Sequence, residues 1–157
     1  MQKGVKVGLI LPSLDASQAT FNSIHAGNAL VMGNPLQQVF AFTETVTAPC
    51  LQPLFPVLNV SKTRSFDGVL ISGDIRTTVM ASNSLQARHR IFYVWDLEWL
   101  RRGKGDFVQN MLAFRHPSIK LIARSLSHKK MIERYCNKEV SAVIPWFDLG
   151  MIYRLTE

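Results

Sequence analysis

Two carboxylates, Asp96 and Glu98, interrupt a run of large apolar side chains, Trp95, Leu97, Trp99 and Leu100. A carboxylate within reach of an attacking hydroxyl can take its proton, so Asp96 is the candidate catalytic residue, with Trp95 and Glu98 beside it in the cleft. The same acid could instead cap the turn or pair with Arg101 or Arg102. Upstream, Arg90 to Trp95 is aromatic and β-branched, the composition of a buried strand. An acid delivered by such a strand to the rim of a parallel sheet lies where α/β proteins bind their ligands.

Cations gather at three places: Arg101, Arg102 and Lys104; Arg115 and His116; and His128, Lys129 and Lys130. The net charge of +7 favours anionic partners such as nucleic acid, nucleotide phosphates or an acidic protein. Trp99 and Phe107, interleaved with the first group, could stack on bases while the cations follow a phosphate backbone. His128 to Lys130 fall in the first turn of an expected helix, where the helix dipole disfavours cations unless an anion also binds. Each group also reads as a solvated basic face.

Other chemistries lack their signatures. Pro12 to Gln18, the first loop, contains no glycine and so is not a dinucleotide fingerprint. There is no Walker A loop or nucleophile elbow. His25, His89, His116 and His128 are too scattered to suggest a zinc site, so no metal is expected. Cys50 and Cys136 have neither metal nor disulfide-framework spacing, which points to a reducing, cytoplasmic setting. No run is long enough to span a bilayer, so no membrane role is expected.

At 157 residues, 47% of them hydrophobic, the chain is long enough for one domain with a genuine core. Apolar runs at 5–11, 38–43, 67–74, 90–95, 119–123 and 140–144 read as strands, with 57–60 as a short edge strand. Helices are expected over 20–32, capped by Asp15 or Ser17, over 77–86, over 107–114 behind Asp106, and from Ser125 or Ser127 to 135. The loop at 45–56 holds three of the seven prolines. Residues 152–155 read as a tail. This alternation predicts a three-layer, Rossmann-like α/β fold: a mostly parallel sheet of six or seven strands with helices on both faces. Its carboxyl edge would gather Ser13, Asp15, Ser17, Ser72, Asp74, Arg76, Trp95 and Glu98 around a cleft, with Asp96 among them.

The order of elements resembles the N-terminal, acceptor-binding lobe of GT-B glycosyltransferases. The resemblance rests on Asp67 to Asp74, on Ile91 to Asp96, on Leu121-Ile-Ala-Arg-Ser before a helix, and on Val143 to Asp148. Tyr93-Val-Trp-Asp-Leu-Glu-Trp-Leu-Arg-Arg is most similar to the strand end of the phage DNA α-glucosyltransferase type, where a His-Asp pair precedes two arginines. Here Trp95 replaces that histidine, and Trp146-Phe147 replaces the closing Asn-Gly. The resemblance implies metal-independent hexosyl transfer from a nucleotide sugar of the UDP type, used as co-substrate rather than bound cofactor. It implies modified phage DNA as acceptor, in an infected host cell, with Asp96 near the acceptor hydroxyl. Because 157 residues match one lobe, a donor lobe would come from a separate polypeptide or from self-association. The alternative is a non-catalytic module that binds nucleic acid or a partner. A response-regulator-like domain would need an acidic cluster after the first strand, where only Asp15 is available.

Overall fold

The computed structural model describes residues 4–100 and 107–157. Seven strands form one sheet: β1 (Lys6–Ile10), β2 (Gln38–Thr43), β3 (Val57–Asn59), β4 (Val69–Ser72), β5 (His89–Tyr93), β6 (Ile119–Ala123) and β7 (Val140–Val143). Their order is β3-β2-β1-β4-β5-β6-β7, and every pairing is parallel. The order reverses direction between β1 and β4. The strands are apolar runs because helices cover both faces and leave neither to water.

Side-chain alternation assigns each face its helices. Val7, Leu9, Ile71, Ile91, Tyr93 and Ile122 point to one side and pack with Ile24 of α1 (Gln18–Gly33) and Leu149 and Ile152 of α5 (Leu149–Arg154). The opposite face carries α2 (Ile75–Ser82), α3 (Phe107–Arg115) and α4 (Leu126–Cys136). There Phe92, Leu121 and Val140 meet Met111, Phe114 and Ile132. Ile10, Phe42 and Leu70 continue that face beneath Phe66 and Ala81.

Capping residues set where the helices start. Ser17, rather than Asp15, accepts the Thr20 amide at 3.1 Å, and Ser125, rather than Ser127, accepts that of His128 at 3.1 Å. The cap expected at Asp106 lies outside the described residues. Helix α2 begins two residues before 77, because Asp74 and Thr77 form a reciprocal capping box. Residues 152–154 belong to α5 and not to a tail, with Leu155 as its C-cap: Asp148 caps the start of α5 by accepting the Met151 amide at 3.0 Å. A 3-10 helix, Val60–Ser65, follows the edge strand. The proline-rich loop is tied to α1 through Asn28, whose amide donates to the Gln52 carbonyl (2.9 Å) and accepts from the Leu54 amide (2.7 Å).

Candidate functional site

Where two strands of a parallel sheet send their crossovers to opposite faces, the loops after them part and leave a crevice. Here that place lies beyond β1 and β4. A cavity of about 80 Å³ opens there, between Pro12, Ala19, Thr20 and Ser23 on one side and Ser72, Gly73, Asp74, Trp95 and Phe147 on the other. It has room for a small group rather than for a whole nucleotide.

Aromatic rings form its outer wall. Trp95 stacks on Phe147, with centroids 5.5 Å apart and planes 27° apart. Tyr93 meets both rings edge-on, at 4.9 Å and 5.1 Å. A Cβ on Gly73 would lie 2.9 Å from Cδ1 and Nε1 of Trp95, so the missing side chain is what lets the indole close over the strand end. Beneath the rings Tyr93 is fully buried and donates its hydroxyl to the Ile144 carbonyl at 2.8 Å. Burial pushes the Tyr93 phenol above its usual range, and the neighbouring Arg124 guanidinium opposes that shift.

Ser72, Asp74 and Trp95 do line the cavity, but the first two already have structural duties. The buried Ser72 hydroxyl shares a 2.7 Å hydrogen bond with Thr78 and donates to the Ile91 carbonyl at 3.2 Å. One carboxylate oxygen of Asp74 accepts from the Thr77 amide (2.6 Å) and hydroxyl (2.8 Å). Glu98 reaches back to the same helix start and accepts the Ile75 amide at 2.9 Å. Two carboxylates therefore complement the amino end of α2, a position that elsewhere attracts phosphate. The switch-point cavity is thus suited to a neutral, hydroxyl-bearing group.

Ser13, Asp15, Ser17 and Arg76 surround this region without lining the cavity. Ser13 accepts the Asp15 amide at 3.2 Å, Asp15 accepts the Thr47 hydroxyl at 3.3 Å, and Arg76 pairs with Glu44 from the end of β2. Asp96 is half-buried in the turn directly after Trp95, leading into the 3-10 helix Glu98–Leu100.

The basic groups divide by edge. Arg101, Arg102 and Lys104 lie outside the described residues. Arg115 closes α3 at the opposite, amino edge of the sheet, where it donates to the carbonyls of Cys136 (2.9 Å) and Tyr135 (3.3 Å). Its part in the fold is to cap α4, and it does not join the crevice. His128, Lys129 and Lys130 do stand at the carboxyl edge in the opening turns of α4, with Lys129 3.8 Å from Glu133. Among the described residues no three His, Cys, Asp or Glu side chains gather in a metal-binding group, and no helix is long and apolar enough to cross a membrane.

Sequence reasoning missed the α1 side of the crevice, Thr20 and Ser23, and also missed Arg124. Arg124 did carry a signal: it is a cation placed immediately after the buried run Leu121-Ile-Ala. No protein-family model, no curated protein and no solved structure matches this chain.

Proposed function

We propose that the chain is an acceptor-binding lobe for hexosyl transfer, and that it holds a hydroxyl-bearing acceptor in the switch-point cavity. The observation that carries this reading is the position of that cavity: it lies between the divergent ends of β1 and β4, walled by Phe147 and by Trp95, which Asp96 directly follows in the chain. Aromatic walls suit the faces of sugars and bases alike. In the reaction the acceptor oxygen bonds to the anomeric carbon of a nucleotide sugar, and the bond from that carbon to phosphate breaks. The nucleotide leaves with the electron pair, and Asp96 takes the acceptor proton. Modified DNA with hydroxyl groups on its bases is the acceptor that the +7 net charge favours. A second lobe holds the nucleotide-sugar donor.

The test is hexosyl transfer from UDP-sugars to such DNA with the donor lobe supplied. Asp96→Asn should abolish transfer while the variant still binds DNA; unchanged transfer would remove Asp96 as base. A second reading, a binding module without chemistry, is favoured by one observation: Asp74, the acid that lines the cavity, is spent on capping α2. That reading expects DNA binding that weakens steeply with salt and does not respond to UDP-sugars.

A further inference from the structure

On the far side of Trp95 the crevice continues into a second recess of about 360 Å³, walled by Trp95, Trp146, Phe147, Arg124, His25 and Asn22. Its chemistry is opposite to that of the switch-point cavity. No acidic side chain lines it among the described residues, and its charged wall is a guanidinium. Arg124 is fixed in place: Nη1 donates to the Trp95 carbonyl at 3.1 Å, and the guanidinium carbon lies 5.2 Å from the centroid of the Trp95 ring. No carboxylate among the described residues pairs with it. A half-buried cation with further N–H donors and no counter-charge among the described residues is a ready partner for phosphate oxygens. Across the recess Trp146 is 71% exposed. An exposed indole facing a pocket is a stacking platform for a planar ring. His25 and Asn22 on α1 add hydrogen-bonding groups between the two.

We propose that this recess is a nucleotide-binding site, where Trp146 stacks on the base and Arg124 holds the phosphate. Its volume suits a base and ribose, whereas the neighbouring cavity of about 80 Å³ does not. The same chemistry is presented by a free mononucleotide and by the terminal nucleotide of a single strand. The site requires neither Asp96 nor any sugar transfer, so it stands or falls independently of the hexosyl-transfer reading.

The experiment is calorimetric titration of the intact chain with UMP, AMP, uridine, adenosine, inorganic phosphate and a 5′-phosphorylated single-stranded oligonucleotide. The nucleotides should bind saturably, and nucleosides or phosphate alone at least about tenfold more weakly. Trp146→Ala, a change at an exposed position, should weaken nucleotide binding about tenfold. Arg124→Gln should erase the preference for nucleotide over nucleoside, and Arg124→Lys should restore part of it. Tighter binding of the oligonucleotide than of UMP or AMP would identify a strand end as the source; equal binding would identify the free nucleotide. The proposal is overturned if no nucleotide binds, if nucleosides bind as well as nucleotides, or if Trp146→Ala binds like the parent.

Discussion

Gly73 and Trp95 shape the crevice between them, because the indole rests where any side chain at 73 would project. Gly73→Ala should therefore push the ring outward, costing ~1–3 kcal/mol as overpacking does. Urea unfolding and a change in tryptophan fluorescence would register it. Asp74→Ala removes the reciprocal cap of α2 and should cost ~1 kcal/mol in the same measurement. His89 makes a pH-dependent contribution. Burial, then Lys120, then Arg88, hold its pKa below the ordinary 6.5, so the fold favours the neutral ring. Below 6.5 the unfolded chain binds more protons at this site than the folded one, and stability is lost as pH falls through the folded value. His89→Asn should flatten that part of the stability profile when urea midpoints are compared between about pH 7.5 and about pH 5. Ser72, Asp74 and Trp95 were legible as crevice residues because each ends a buried apolar run. Their engagement in capping was not, since the partners Thr77, Thr78 and the Ile91 carbonyl come close only once the helix and the next strand are placed.

Helices and strands follow from local signals where those signals are dense. Strands β2 and β6 lie where continuous apolar runs place them, because polar neighbours such as Gln37 and Glu44, or Ser118 and Arg124, bracket those runs closely. Helix α5 was hidden behind its brevity: six residues offer too few turns for a periodic stripe, and only the Asp148 cap announces it. Its inward side chain is fully buried, so Ile152→Ala should cost ~2–5 kcal/mol, far more than a tail residue could. At the end of α4, Asn137 adopts φ 51°, the left-handed conformation of a helix terminator. Asn137→Val should lose ~1–2 kcal/mol, while Asn137→Gly should be neutral or stabilising; thermal unfolding of the pair tests this. The amino end of α2 is occupied by its own caps, because the Asp74 and Glu98 carboxylates sit where a phosphate would otherwise dock.

For the molecule as a whole, the direction of the strands governs what the surface can do. A wholly parallel sheet brings every strand's carboxyl end to one edge, and the change of winding between β1 and β4 opens that edge at a single place. This much followed from apolar runs alternating with helical ones. The division of the edge did not: residues more than a hundred apart in the chain, such as Asn22 and Arg124, form the basic recess, while Thr20 and Asp74 line the switch-point cavity. Arg115 shows the limit of reading charge along a sequence, because a cation near others in the chain is carried by α3 to the opposite edge. The most direct measurement of the central claim is an amide NMR titration of the chain with duplex DNA bearing hydroxyl groups on its bases. Saturable shifts at Leu11, Gly73, Asp74 and the Trp95 indole are expected, with the amino edge around Arg115 unmoved. Shifts centred on that amino edge, or none at the four crevice positions, would contradict the account.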